Sequence, residues 1–230
     1  LKLRWLTSAL LDIKAQREAG PFTDNARALV GQEKLIMANT LTLEGLAERL
    51  DRLESKEAIR DIVTAYAIAC DEHDMDRLMG LFSHDACFDA PNGSMVADGK
   101  EAIQTMFEQT FKIRGPAYHW THDTTVVIDS EDPDKAQGLV LSHAETTPNG
   151  VVSIAAMRYA DNYRREPDGQ WRFCKRVISF LYYVPATEYS QGLNQANRVL
   201  MGDTRFEADY PEALPAWQSF IDNHGPLELG

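Results

Sequence analysis

From Thr42 onward the apolar positions Leu43, Leu46, Leu50 and Leu53 recur at helical spacing, and Thr42 is placed to cap the first turn. A second helical run follows Ser55, with Ile59, Ile62, Val63, Tyr66, Ala67 and Cys70 repeating at i, i+3 and i+4 and an end near Asp71. Asp74-Met75-Asp76 starts a short third helix carrying Leu78, Leu81 and Phe82. Gly99 to Phe111 gives a fourth with Ile103, Met106 and Phe107 on one side. The period then changes. Residues 117 to 129, 136 to 147, 151 to 165 and 170 to 184 are rich in Val, Ile, Thr, Tyr, Phe and Trp. Asp132-Pro133, Pro148-Asn149-Gly150 and Pro167-Asp168-Gly169 separate them, and Asn-Gly and Asp-Gly turns join antiparallel neighbours.

Helices first and a long-stranded meander afterwards predict an α+β domain in which N-terminal helices cover one face of a curved antiparallel sheet. Three segments are expected. Residues 1 to 40 form an extension outside the functional domain, because a clean helical pattern resumes only after Met37-Ala38-Asn39-Thr40, which reads like a translation start. Residues 41 to 186 form the α+β domain. Residues 187 to 230 turn polar and irregular and are expected to wrap the domain or reach a partner subunit.

Composition narrows the class of function. Hydrophobic residues make up 44% and charged residues 25% of the 230, so neither a wholly disordered nor a fibrous protein fits. Lys plus Arg is 23 against 35 for Asp plus Glu, a formal charge of −12, which argues against nucleic acid or an anionic membrane as partner. No apolar run approaches the roughly 18 to 20 residues that span a bilayer, and no signal peptide is read. Cys70, Cys87 and Cys174 are far apart, odd in number and without a CxxC pair, which suits reduced thiols in a cytoplasmic protein and excludes a zinc ribbon. GxGxxG, GxxxxGK[ST] and GxSxG are all missing, so no nucleotide cofactor or acyl-enzyme serine is expected.

The candidate residues each carry two readings. Asp71, in Cys70-Asp71-Glu72-His73-Asp74, is either a solvated helix end or a carboxylate held there by something else, since a negative charge opposes the macrodipole at a helix C-terminus. In the first long strand, alternation puts His119 with Thr121, Asp123 and Thr125, and puts Trp120, Val126 and Ile128 on the opposite face. His119 and His122 then point to opposite sides and cannot share a metal ion without a bulge. Tyr66 lies in the middle of the apolar stripe of its helix, which ordinarily means core packing with its hydroxyl bonded locally. His143 marks either a strand emerging into water or a second imidazole entering a cavity. Arg176, on the face with Ile178 and Phe180, is a structural charge near the sheet's edge or an anion stabiliser. Tyr159 lines the same space or packs. Trp120, Val126 and Ile128 need cover, which association into a homodimer or homotrimer would provide.

The ordered set Leu53-Glu54-Ser55-Lys56-Glu57-Ala58-Ile59-Arg60-Asp61-Ile62, Tyr66, Asp71, Asp74-Met75-Asp76-Arg77-Leu78, Tyr118-His119-Trp120, Asn162-Tyr163-Arg164-Arg165 and Asp168-Gly169-Gln170-Trp171-Arg172-Phe173 resembles the SnoaL-like branch of the nuclear transport factor 2-like superfamily. Within it the resemblance is to the group holding scytalone dehydratase, hexachlorocyclohexane dehydrochlorinase and bile acid 7α-dehydratase, over roughly residues 43 to 186. It implies a cone-shaped α+β barrel whose open end takes a small cyclic or aromatic substrate. It also implies an Asp and a His facing each other at Asp71 and His119, a catalytic tyrosine at Tyr66 and an arginine at Arg176. His143 does not align cleanly with the second histidine of scytalone dehydratase, and Tyr159 stands where that enzyme carries an asparagine.

The expected activity is therefore a cofactor-independent lyase, with His119 and Asp71 as a general-base dyad and Tyr66 assisting. His143, Tyr159, Arg176 and Trp120 are the expected substrate contacts. An isomerase or polyketide-cyclase-like enzyme on the same fold, or a non-catalytic small-molecule-binding protein, is the alternative.

Overall fold

The computed structural model describes residues 42–225, so the segment read as an N-terminal extension lies outside the described residues. The chain divides into two compact units between Arg49 and Leu50, and the site lies within the second. Among the described residues no helix is long and apolar enough to cross a membrane.

One uninterrupted helix, α1 (Leu43–Glu72), stands where the sequence reading placed two. Ser55 interrupts the leucine spacing but is no helix breaker, and neither Pro nor Gly occurs between Leu46 and Glu72 to stop propagation. The Thr42 hydroxyl accepts the Gly45 N–H at 3.0 Å, capping the first turn. At the other end His73 adopts φ 55° and the Asp74 N–H donates to the Ala69 carbonyl, a Schellman-type stop with histidine in the usual glycine position. Asp74 then caps α2 (Met75–Gly80) by accepting the Arg77 N–H.

Two strands that the apolar pattern did not disclose follow, β1 (Phe82–Asp89) and β2 (Ala97–Asp98). Phe82 and Phe88 share β1 with four polar residues, which hides its alternation. Helix α3 (Lys100–Ile113) buries Ile103 and Phe107. The long strands are β3 (Tyr118–Ile128), β4 (Lys135–Thr146), β5 (Ser153–Arg165) and β6 (Trp171–Pro185), close to their predicted spans. Past a short helix, α4 (Tyr189–Gly192), come β7 (Val199–Met201), β8 (Thr204–Phe206) and α5 (Pro215–His224).

All eight strands belong to one sheet in the order β2-β1-β6-β5-β4-β3, with β7 on β6 and β8 on β7. Pairing is antiparallel except for β1 with β6 and β6 with β7, and the sheet is curved and unclosed, an open version of the expected barrel. Register shifts in the β3/β4, β5/β6 and β1/β6 pairs supply local bends. The helices cover the concave face, where Ile59, Val63 and Tyr66 of α1 join Tyr159, Tyr163 and Phe173 of the sheet in the main core. After Pro185, Asp209 accepts the Phe180 N–H, and the buried Arg198 bonds the Leu181 carbonyl and Glu212.

Candidate active site

One bulge decides which side chains of β3 face inward. Thr121 pairs with Ser142 but Thr124 with Val140, so two residues of β3 oppose one of β4 and the inward parity switches at His122-Asp123. His119 and Thr121 face in before the bulge; Val126 and Ile128, at 6% and 2% exposure, face in after it. Strict alternation had put Val126 and Ile128 opposite His119 and in need of cover. Of the three apolar residues in that expectation, Trp120 alone is exposed.

Asp71, in the last turn of α1, reaches across to β3 with both carboxylate oxygens. Oδ2 accepts the His119 backbone N–H at 2.9 Å and Oδ1 meets the ring Nδ1 at 2.5 Å. The two side chains retain only 16% and 7% of their exposure. This clamp answers the anti-dipole position of Asp71, because the carboxylate is stabilised by β3 instead of by its own helix. Fixing Nδ1 on the carboxylate leaves Nε2 as the ring nitrogen without a hydrogen-bond partner among the described residues.

His119 lines a cavity of about 490 Å³ between the concave face and the helices. Tyr66, Tyr159, Met157, Ile178, Phe180 and Tyr183 form its inner wall, and Leu200 to Asp203 of the β7–β8 hairpin form part of its rim. At its inner end a narrow crevice brings Tyr66, His119, Tyr159 and Arg176 together. Burial pushes the Tyr66 and Tyr159 hydroxyls well above the usual phenol range, so both stay neutral and able to donate. It likewise pushes up the Cys70 thiol, which keeps that residue protonated and unreactive.

Arg176 lies in the middle of the sheet, not near its edge. It is fully buried, with Nε and Nη2 on the two oxygens of Asp161 at 2.9 and 2.8 Å, and Asp161 also accepts the Tyr163 hydroxyl. Its guanidinium carbon sits 4.0, 4.2 and 4.1 Å from the ring centroids of Tyr66, Tyr159 and Phe173. Burial disfavours its charged form; Asp161 more than offsets this and holds the guanidinium above its ordinary value. Nη1 is buried without a partner.

Two expected substrate contacts lie elsewhere. Trp120 and His143 face one another in register on the convex side, where His143 Nδ1 meets His122 Nε2 at 2.7 Å and Trp120 packs edge-on against Tyr118. His143 pairs laterally with Trp120 and so must share its face, opposite His119. The aromatic run at the end of β6 also divides: a register shift at Leu181 sends Phe180 and Tyr183 into the cavity wall and Tyr182 outward against Tyr189. Asp161 and Arg114 escaped the sequence reading. Asp161 lies at i+2 between Tyr159 and Tyr163, so strand alternation could have placed it inward, whereas Arg114 follows α3 in an irregular connection with no period to read.

A model of the SnoaL-like domain matches residues 51–177, more than half of the chain and all the elements that hold Asp71, His119 and Arg176. The chain belongs to the SnoaL-like family. Gamma-hexachlorocyclohexane dehydrochlorinase of Sphingobium indicum is 26% identical over 147 residues, covering 59% of this chain and 86% of that protein. Among solved structures, a type 2 hexachlorocyclohexane dehydrochlorinase aligns with TM-score 0.55 at 23% identity, over 60% of this chain and 92% of its own. A nuclear transport factor 2-like protein with a cystatin-like fold from Novosphingobium aromaticivorans aligns with TM-score 0.51 at 25% identity, over 68% and 99%. Homology to this SnoaL-like enzyme group supports lyase-like or isomerase-like chemistry on a small molecule. The rim of the cavity, at Leu200 to Asp203, comes from chain beyond the family match.

Proposed function

We propose that this SnoaL-like protein catalyses a cofactor-independent elimination on a small cyclic substrate, with His119 as general base. The observation that carries the reading is the imidazole whose Nδ1 is held by Asp71 while Nε2 is left unpartnered at the wall of a cavity. A carboxylate on Nδ1 selects the tautomer with its lone pair on Nε2 and stabilises the imidazolium formed by proton transfer. Nε2 takes a proton from a ring carbon, the C–H electron pair becomes the new C=C bond, and the group on the adjacent carbon leaves with its bonding pair. Neutral Tyr66 and the unpartnered Arg176 Nη1 are donors suited to the departing group. The dehydrochlorinase relatives make loss of HCl a natural first reaction to examine.

An isomerase reading uses the same base with no leaving group. The two neutral phenols at the crevice favour it for carbonyl substrates, because they can donate to a developing enolate oxygen. Incubation with a panel of halogenated, hydroxylated and keto cyclic compounds, followed by mass spectrometry, separates these outcomes. A product lighter by HCl or water, formed by the wild type and not by His119→Ala, supports elimination; a product of unchanged mass supports isomerisation. Turnover that survives in His119→Ala overturns the base assignment, and binding without turnover reduces the protein to a carrier.

A further inference from the structure

Three polar groups along the cavity and its crevice are buried without a protein partner: Ser94 Oγ, Arg114 Nε and Arg176 Nη1. All three can donate, and two belong to guanidinium groups. A buried donor left unpaired costs free energy, and all three belong to residues in the shell of one cavity, so the lining is rich in donors and favours a ligand that brings acceptors.

The two arginines differ in how their charge is answered. Arg176 has the bidentate Asp161 beneath it. Arg114 has no carboxylate in ion-pair contact among the described residues; its Nη2 donates to the Cys70 carbonyl at 2.8 Å and its guanidinium lies 5.0 Å from the Phe111 ring centroid. The cavity wall thus holds one cation whose charge is not matched by an acid. Its field acts on the hydroxyls of Tyr66, Tyr159 and Tyr183, which line the same cavity. The one carboxylate on the rim, Asp203, is exposed to water. Ser94, brought to the wall by the turn between β1 and β2, adds a neutral donor.

We infer that Arg114 recognises a carboxylate carried by the substrate, so that the His119 site acts on cyclic carboxylic acids in preference to uncharged rings. The inference rests on the cavity around His119 being the substrate site. It does not require His119 to be the base. A carboxylate accepts from two donors at once and brings the charge for which the Arg114 guanidinium in the cavity wall has no acidic partner among the described residues. A polyhalogenated hydrocarbon has no strong acceptor and leaves the Arg114 charge unanswered.

The test uses 2-naphthoate and its neutral amide, 2-naphthamide, titrated calorimetrically into the full chain. Wild type is expected to bind the acid about tenfold to a hundredfold more tightly than the amide, the range for a charged hydrogen bond. Arg114→Gln should abolish that preference, Arg114→Lys should retain part of it, and His119→Ala should leave it intact. Equal affinities in the wild type, a preference that survives Arg114→Gln, or absence of binding by both compounds overturns the assignment. Because binding is measured without turnover, a wrong base assignment would leave this result standing. A retained preference in Arg114→Lys also ties the effect to the positive charge at this position.

Discussion

The two faces of β3 and β4 carry the same kinds of residue and do opposite things. On the concave face His119 is anchored by a carboxylate and lines a largely apolar cavity. On the convex face His122 and His143 touch each other beside an exposed Trp120, with no carboxylate among the described residues bonded to either ring. An imidazole becomes a candidate base when one nitrogen is fixed, the other is unpartnered, and water is largely displaced around it. Only the concave imidazole meets these conditions. The difference arises from strand parity and from the reach of one helix end, not from any property of histidine.

The comparison is broken most severely by His119→Ala, expected to lower turnover by about 10² to 10⁴-fold while leaving the melting temperature nearly unchanged. A steady-state assay and a thermal melt check both halves. Next comes Asp161→Ala, which strands the fully buried Arg176 and the Tyr163 hydroxyl. A loss of about 3–5 kcal/mol in denaturant unfolding is expected. Asp71→Asn keeps an oxygen for the His119 backbone N–H but removes the charge that orients the ring; about a 10²-fold loss of turnover with retained fold is the expected result.

Gly138→Ala probes the concave face away from the cavity. Its Cβ would lie 2.7 Å from the Thr125 carbonyl oxygen and 3.0 Å from the Tyr163 ring, and a destabilisation of about 1–3 kcal/mol should appear in the same unfolding assay. The smallest effect belongs to His143→Gln, with turnover unchanged within about twofold by the elimination assay, as for surface substitutions generally. Burial and the neighbouring His122 hold the His143 imidazole below its ordinary value of 6.5. Protonation therefore favours the unfolded chain: the stability is present above pH 6.5 and falls as pH drops through the lower folded value. His143→Gln should flatten that acid limb of a melting-temperature profile.

Much of this architecture could be read before any coordinates. The four long strands and the helices before them follow from period and turn chemistry, because Asn149-Gly150 and Asp168-Gly169 allow positive φ where the chain reverses. Asp71 and His119 drew notice through residue resemblance, and periodicity alone set Asp71 aside as a solvated helix end. Val126 and Ile128 are misplaced for a structural reason. Alternation is a reliable guide until a bulge intervenes, and neither the bulge at His122-Asp123 nor the shift at Leu181 contains a glycine or proline to announce it. Val126 and Ile128, which follow the bulge, therefore face in where strict alternation sets them outside, whereas Trp120 and His143 precede it and share the convex face that alternation from His119 gives. The Arg176–Asp161 pair was hidden for another reason: it joins residues on two strands, and a single sequence does not state their register.

The most direct measurement is ¹⁵N NMR of the His119 ring in protein labelled at histidine, recorded with the imidazole neutral and repeated with a cavity ligand. The account predicts a proton on Nδ1, bonded to Asp71, and an Nε2 resonance that moves when the ligand binds. A ring protonated at Nε2, or an Nε2 signal indifferent to cavity occupancy, would contradict it.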